Sequence, residues 1–374
     1  MIYITRKHIK PGMILAKDIF LNSTNNVNCF LLGKGQVLNN VFINRIKYHN
    51  IDGIYIENEA FSDIKLEPYI DDKLKSKALR VINEAYHELN TSSGKVNVYV
   101  VKELSSIVNS IVADLLNKED LTYNLLDFKE YDNYTYQHSL NVAVLSISTG
   151  ISMQLSENKL NEIGMAGVLH DIGKKSIPLE ILNKPDKLTK EEFEIIKTHP
   201  SNAVDILKNM VSSEVLRTIE EHHEKLDGTG YPYEKKVDNI SFYAKILSIS
   251  DVYDALTSDR PYRKAVFPNE VVEYLMGCVD KHFDYDILKY FLKIIFPYPV
   301  GTFVKLSNEK LAVVIKNHSE NILRPVVRTV NNDGTVGEDI DLLSDKNYMN
   351  ITIVDMGYDY ENCGLTGVLK SSII

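Results

Sequence analysis

The sequence has few cysteines, no excess of positive charge and no long hydrophobic run, and each of these absences excludes a class of protein. Its 374 residues include three cysteines that lie far apart, so neither a disulfide framework nor a zinc knuckle is indicated. The formal net charge of −9 argues against a nucleic-acid polymer as partner, because neutralising its phosphates needs clustered Lys and Arg. Any anionic ligand must therefore meet local positive charge.

Signals for membrane insertion and export are also missing. The longest apolar runs fall short of the ~18 residues that a membrane helix needs, and the opening stretch MIYITRKHIKPGM lacks the hydrophobic centre of a signal peptide. The sequence therefore predicts a cytoplasmic protein that does not bind membranes. It has no internal repeat, and a hydrophobic content of 44% in 374 residues predicts two or three domains with buried cores.

Four regions with different patterns follow one another along the chain. Short apolar runs between turn residues predict a β-rich amino-terminal domain over residues 1–60, a candidate regulatory module. Helical periodicity predicts a helical linker over 61–129 and a helical domain over 130–295. Strand-like patterns return over 296–374 and predict a β-rich carboxy-terminal module. The predicted fold class is multidomain α+β, with a central all-α domain flanked by two small β-rich modules.

One helix of the linker carries a continuous apolar stripe, whose residues recur at spacings of three and four: Val101, Leu104, Val108, Ile111 and Leu115. Such a stripe could form the interface of a homodimer. Amphipathic helices are common in globular proteins, however, so packing on the chain's own core is the favoured interpretation.

Histidines and aspartates interrupt several apolar segments of the predicted helical domain, for example AGVLHDIG and AKILSISDVYDAL. Taken singly, a histidine on a half-buried helix usually forms hydrogen bonds and binds no metal. Burying so many imidazoles and carboxylates would be costly unless a metal cluster satisfied them together. Imidazole and carboxylate donors suit Fe, Mn, Co or Zn. The candidate metal ligands are His138, His170, Asp171, His199, His222, His223 and Asp251.

The adjacent pair His170 and Asp171 indicates how such a cluster could be held. Neighbouring helical residues point about 100° apart, so the pair could serve two ions with the carboxylate bridging them. Two metals about 3.5 to 4 Å apart can polarise a phosphate ester and lower the pKa of a shared water, which then becomes the nucleophile. Lys174 follows one turn after His170 and could neutralise a phosphate oxygen, although a solvated lysine fits its position equally well.

These motifs resemble a known family. HDIGK at 170–174 and HHEKLDGTGYP at 222–232 resemble the HD-GYP domain, a branch of the HD superfamily of metal-dependent phosphohydrolases. YTYQHSLNVA, KTHP and ILSISDVYDALTSDRPYR occur in the expected order, so that the resemblance covers residues 130–294. It implies an all-helical domain that hydrolyses cyclic di-GMP to pGpG, GMP or both through a hydroxide bridging two metal ions. Fe or Mn are the expected ions, with Zn, Co or Ni as alternatives in vitro.

The resemblance also implies roles for individual residues. All seven candidate ligands match the family's metal ligands, with Asp171 bridging, and the catalytic residues are expected to be His170, Asp171 and Lys174. Lys174, Arg260 and Arg263 match positions that contact the phosphates of the ligand. The flanking β-rich segments resemble modules that accompany some family members.

Two further positions bear on ligand and metal binding. Tyr231 lies in the GYP loop, which in the family contacts ligand and docks GGDEF-type cyclases; a hydrophobic plug is the alternative. Glu224 and Asp227 are expected to cap this loop or to support the ligands. Members with a third metal carry Glu one turn before the first histidine. This chain has Tyr134 there, a poor ligand, so two divalent ions per chain are expected.

The sequence leaves three functions open. The leading hypothesis is a metal-dependent cyclic di-GMP phosphodiesterase. An HD-type hydrolase of another cyclic dinucleotide would carry the same ligands. A receptor that binds cyclic di-GMP without efficient turnover would relay the signal through the β-rich modules. The complete ligand set favours catalysis, because loss of function usually removes ligands.

Overall fold

The structure is a computed structural model that describes residues 1–22, 28–49, 51, 53–64, 68–89, 96–118, 134–184, 186–258, 265–318, 320–331 and 335–356. They form two compact units. One unit draws on both ends of the chain, within Met1–Glu67 and Phe296–Ile374, and the other lies within Pro68–Tyr123 and Tyr134–Ile295. No helix in the described ranges combines the length and the apolar character needed to cross a membrane.

The unit built from both chain ends is mainly β-structure. Its amino-terminal elements are β1 (Ile2–Thr5), β2 (Ile19–Asn22), β3 (Asn28–Leu32), α1 (Asn40–Tyr48) and β4 (Gly53–Ile56). Its carboxy-terminal strands are β5 (Phe303–Leu306), β6 (Leu311–Lys316), β7 (Val326–Val330), β8 (Val336–Asp341) and β9 (Ile353–Asp355). Antiparallel pairs join β1 to β4 and β2 to β3, and the later strands form one antiparallel sheet in the order β8-β7-β6-β5-β9.

A shared apolar core joins the two ends of the chain within this unit. Ile4 of β1 and Ile54 of β4 lie in the same buried cluster as Phe303 of β5 and Val313 of β6. The predicted boundaries separate these ends into two modules, whereas the structure gathers them into one unit. The physical reason is that short strands expose an apolar face, and each end covers the face of the other.

The second unit is helical, as predicted for the centre of the chain. Its helices are α2 (Asp72–Glu88), α3 (Val98–Leu116), α4 (Tyr134–Ser152), α5 (Glu157–Leu169), α6 (Leu179–Leu182), α7 (Lys190–Ile196), α8 (His199–Leu207), α9 (Ser213–Glu221), α10 (Phe242–Thr257), α11 (Pro268–Gly277) and α12 (Tyr285–Phe291). Local sequence signals explain where two of these helices begin: Asp71 caps α2, and Thr189 with Glu192 forms a capping box at α7. Helix α4 packs against α2, α5, α10 and α12, so its polar residues are buried at the centre of the unit.

The apolar stripe of α3 is buried inside the chain. Its five residues are at most 3% exposed, and α3 packs against α2, α4 and α5. The stripe therefore packs on the chain's own core, which confirms the favoured interpretation. The homodimer stays a prediction that this helix does not support.

Candidate metal centre

The seven predicted donors come from five helices and mostly from their ends: His138 from α4, His170 and Asp171 directly after α5, His199 at the start of α8, His222 and His223 directly after α9, and Asp251 from α10. Gly173 allows two of these segments to lie close together. A Cβ at that position would lie 2.0 Å from the backbone oxygen of His199. Only glycine therefore lets the turn that follows Asp171 lie against the start of α8.

Three histidines share one hydrogen-bond geometry. The Nδ1–H groups of His170, His199 and His222 donate to carbonyl oxygens three residues earlier, at 2.8, 2.9 and 2.5 Å. Because a carbonyl only accepts, each ring in its neutral form has its lone pair on Nε2. These Nε2 atoms are buried and have no hydrogen-bond partner within the described ranges. Buried lone pairs without partners are costly, and coordination to a metal ion would satisfy them.

Asp171 lies between these histidines. Its Oδ2 is 3.4 Å from Nε2 of His170 and 3.8 Å from Nε2 of His138. Its Oδ1 is 3.5 Å from Nε2 of His199. The two oxygens of one buried carboxylate thus lie near histidines from different helices.

The donor atoms fall into two groups. In each group the ligand atoms lie within 4.8 Å of one another, and the groups are His138 with His170 and Asp171, and His199 with His222 and His223. Asp251 also lies between them, with Oδ1 3.1 Å from Nε2 of His138 and Oδ2 3.8 Å from Nδ1 of His223. Imidazole nitrogens combined with carboxylate oxygens fit a first-row divalent metal.

At three of the donors, burial and neighbouring charges favour the protonation state that metal binding needs. Burial lowers the pKa of His199 to about 4, and the ammonium of Lys174 contributes. Burial likewise lowers the pKa of His222 to about 3, with a contribution from His170. Burial disfavours the charge of Asp171, but His170 and Lys174 hold the pKa of this carboxyl well below its usual range. At pH 7 these two histidines are therefore neutral and Asp171 is ionised.

His138 is oriented by a carboxylate that the sequence analysis missed. Its Nδ1 lies 2.7 Å from Oδ2 of Asp254, whose Oδ1 accepts a hydrogen bond from Asn141 at 2.7 Å. Burial would lower the pKa of His138, but hydrogen bonds with Asp251 and Asp254 raise it to about 9. A signal was present, since Asp254 follows Asp251 by three residues on the same face of α10. Metal-ligating histidines typically bind such a carboxylate through their second nitrogen.

Lys174 lies at the edge of the centre. Its Nζ is 2.6 Å from Oδ2 of Asp171, and its side chain is 27% exposed, so the ammonium is accessible both to the buried carboxylate and to solvent. Arg260 and Arg263 lie outside the described residues, and so does the side chain of Tyr134. The phosphate contacts and the metal count that rest on these three residues stay predictions.

Tyr231 packs beside the second donor group. Its ring centroid is 4.7 Å from that of His223, 6.4 Å from that of His199 and 6.3 Å from that of Phe193. The side chain is half-buried. This position is compatible with both predicted roles, contact with a ligand and an apolar plug.

The loop around Tyr231 is held by two acidic side chains. Glu224 accepts the backbone N–H groups of Tyr233 and Lys235 at 2.7 and 2.9 Å. Asp227 accepts both the backbone N–H and the hydroxyl of Thr229. Both carboxylates therefore cap the loop, which is one of the two roles expected for them.

Comparisons with known proteins connect this geometry to a family. Residues 121–287 match the family described as HD domain. The chain is 39% identical over 226 residues to cyclic di-GMP phosphodiesterase PA4108 of Pseudomonas aeruginosa, covering 60% of this chain and 54% of the relative. It is 32% identical over 205 residues to cyclic di-GMP phosphodiesterase PdeB of Borreliella burgdorferi, covering 54% of each. It is also 34% identical over 165 residues to 3'3'-cGAMP-specific phosphodiesterase 1 of Vibrio cholerae, covering 44% of this chain and 38% of that relative.

Residues 121–287 therefore match the HD domain family, in agreement with the resemblance to the HD superfamily. The relatives named as cyclic di-GMP phosphodiesterases agree with its HD-GYP branch. All seven candidate donors lie inside the matched range. The chain spans about half of the length of the first two relatives and less of the third.

Proposed function

We propose that this chain is a metal-dependent phosphodiesterase that hydrolyses cyclic di-GMP to pGpG, GMP or both. The observation that carries the proposal is the position of Asp171, whose two oxygens lie near histidines of different donor groups. A carboxylate between two ions is suited to a two-metal site for phosphate-ester hydrolysis. The names of the relatives from P. aeruginosa and B. burgdorferi support the choice of substrate.

The donor groups would hold two divalent ions: a first ion bound by His138, His170, Asp171 and Asp251, and a second bound by Asp171, His199, His222 and His223. When bound, such ions polarise the phosphate and lower the pKa of a water molecule. Fe or Mn are the expected metals, with Zn, Co or Ni as alternatives, because imidazole and carboxylate donors accept all of them. A tyrosine at position 134 favours two ions over three.

The remaining residues would bind and orient the substrate. Lys174 would neutralise a phosphate oxygen, because its ammonium lies beside Asp171 and remains accessible to solvent. Arg260 and Arg263 would contact the phosphates, and Tyr231 would contact the ligand beside His223. The loop that carries Tyr231 would dock a GGDEF-type cyclase.

A second candidate function is the hydrolysis of another cyclic dinucleotide. The relative from V. cholerae, which is 34% identical to this chain, is named as specific for 3'3'-cGAMP. Both substrates carry the same two phosphodiester linkages, so the metal ligands alone do not discriminate between them. A receptor without efficient turnover has less support, because both donor groups are present.

Hydrolysis by the metal-loaded chain tests these alternatives. The protein is purified without oxygen, loaded with Fe(II) or Mn(II), and given cyclic di-GMP or 3'3'-cGAMP at equal concentration. We expect two ions per chain by elemental analysis and a kcat/KM at least about tenfold higher for cyclic di-GMP, which corresponds to ~1.4 kcal/mol. The reverse preference would establish the second candidate. Binding of cyclic di-GMP without product formation would establish the receptor.

A further inference from the structure

Glu221 is a buried carboxylate outside the two donor groups. It is the last residue of α9 and is 1% exposed. Its Oε1 accepts hydrogen bonds from Nζ of Lys235 at 2.7 Å and from Nε of Arg217 at 2.9 Å. Its Oε2 accepts the backbone N–H of Ser241 at 2.6 Å. The carboxylate therefore binds two cationic side chains and one backbone N–H.

These contacts join three segments of the chain. Glu221 directly precedes His222, Lys235 lies at the end of the loop that contains Tyr231, and Ser241 is the N-cap residue directly before α10. If Glu221 bound only Arg217, which lies one turn earlier on α9, the ion pair would connect two residues of the same helix and nothing else. The bonds to the loop and to α10 instead determine where the end of α9 lies relative to both.

The loop that contains Tyr231 is also bound to the segment of His222 and His223. The backbone N–H of Lys235 donates to Glu224 at 2.9 Å, while its ammonium binds Glu221. The backbone N–H of Tyr231 donates to the carbonyl oxygen of His223 at 3.2 Å. Because bonds on both sides of the pair hold the same loop, a shift of the loop would move His222 and His223, two of the three histidines of the second donor group.

Different partners orient the first donor group. Asp254 holds the ring of His138, and the carbonyl oxygen of Gly167 holds the ring of His170. Within the described ranges, the hydrogen bonds of Glu221 reach none of these four residues, and its contact beside α10 is at Ser241, ten residues before Asp251. The two groups can therefore respond differently to a change at Glu221.

We infer that Glu221 is a positioning residue for the second ion, the one assigned to His199, His222 and His223. This inference rests on the two-ion centre proposed above. Losing a partner that orients metal ligands typically weakens metal binding about 10- to 100-fold. If Glu221 only stabilised α9 through Arg217, its loss would lower stability and leave both metal affinities unchanged.

Metal titration of the full-length chain tests the inference without any substrate. Glu221→Gln keeps the size of the side chain and an acceptor for Ser241 but removes the charge that binds Lys235. Isothermal titration of the metal-free chain with Mn(II) should give two ions for the unmodified protein. In the variant we expect the first dissociation constant to be unchanged and the second to rise about 10- to 100-fold. Anomalous scattering at limiting Mn(II) should locate the retained ion beside His138.

Glu220→Gln is the matched control. Glu220 is the preceding residue and is half-exposed, and it accepts a hydrogen bond from the hydroxyl of Tyr233, which the amide oxygen of Gln can also accept. It should leave both dissociation constants unchanged. If circular dichroism shows that Glu221→Gln does not fold, Lys235→Met is the substitute. It should weaken binding of the same ion, because Glu221 then keeps only Arg217 and Ser241 as partners.

Unchanged binding, or equal weakening of both ions, would overturn the inference. An unmodified chain that binds a single ion would overturn the two-ion centre and this inference together. An unmodified chain that binds two ions without hydrolysing cyclic di-GMP would refute the proposed substrate. Selective loss of the second ion would then still establish the role of Glu221.

Discussion

The protonation of single side chains decides which donors of the centre are ready to bind a metal. His199 and His222 are neutral at pH 7, and their Nδ1–H groups donate to backbone carbonyls, so their Nε2 lone pairs are unshared. His138 differs because its ring hydrogen-bonds with two carboxylates, which raise its pKa to about 9. Histidines of one centre therefore start from different protonation states at neutral pH.

We predict that metal binding releases a proton from His138. With a pKa of about 9 in the metal-free chain, this imidazole is charged at pH 7.5, and a metal ligand must be neutral. Metal affinity should therefore rise with pH up to about 9. Because the pKa lies above the ordinary 6.5, the charge stabilises the metal-free fold fully below pH 6.5, and this contribution is lost as pH rises through about 9.

Calorimetry in buffers of different ionisation enthalpy counts the protons released per chain. Asp254→Asn is the control, since it removes one of the two carboxylates that hold the proton and should reduce the release at pH 7.5. Metal binding that is independent of pH between 6.5 and 9 would contradict the protonation state assigned to His138.

A substitution at Asp171 tests the link between the two donor groups. Asp171→Ala removes both oxygens, so hydrolysis of cyclic di-GMP should fall by more than the ~10- to 100-fold that loss of an outer partner costs. The fold should survive, as judged by circular dichroism. Asp205→Ala, at an exposed position of α8, should retain activity. Turnover near that of the unmodified chain in metal-loaded Asp171→Ala would refute the proposed mechanism.

At the scale of elements, helix ends explain how distant residues reach one site. His170 and His222 occupy the positions that end α5 and α9, and both rings donate to a carbonyl of the last turn. Those carbonyls have no partner inside their own helix, so they are available to orient a side chain. A helix end thus supplies both the histidine that could bind metal and the carbonyl group that fixes its tautomer.

Helix α3 provides a prediction about stability. Ile111→Ala should lower the free energy of unfolding by about 2–5 kcal/mol, because the side chain is fully buried and its loss leaves a cavity. Tyr99→Ala on the same helix, where the side chain is 78% exposed, should change it by less than about 0.5 kcal/mol. Urea denaturation measures both values. A change in oligomeric state for Ile111→Ala in sedimentation experiments would instead favour the homodimer interface.

At the scale of the whole molecule, the candidate donors lie in one of the two units, so metal should stabilise that unit. Without metal, the helical unit buries the Nε2 atoms of His170, His199 and His222, which have no hydrogen-bond partner in the described ranges. An ion that binds only the folded chain contributes about 2.7 kcal/mol when its concentration is 100 times its dissociation constant. Scanning calorimetry with Mn(II) and with a chelator should show a higher Tm for the helical unit when metal is present. Equal Tm values would contradict a metal site in this unit.

The sequence by itself determined the candidate donors, the class of the domain and the buried face of α3. These features depend on short-range order: His170 and Asp171 are adjacent, and the stripe around Ile111 follows the helical period. Motif order along the chain was sufficient to identify an HD domain, which the family match confirms. None of these inferences requires knowing how the helices pack.

Only the tertiary structure decided which groups face one another. Asp254 orients His138 from 116 residues away, and Glu221 binds the start of α10 from 20 residues away. Both contacts depend on the packing of helices, and local periodicity contains no information about such distances. The shared core of the two chain ends has the same origin, because apolar strands far apart in sequence lower their free energy only when they cover each other.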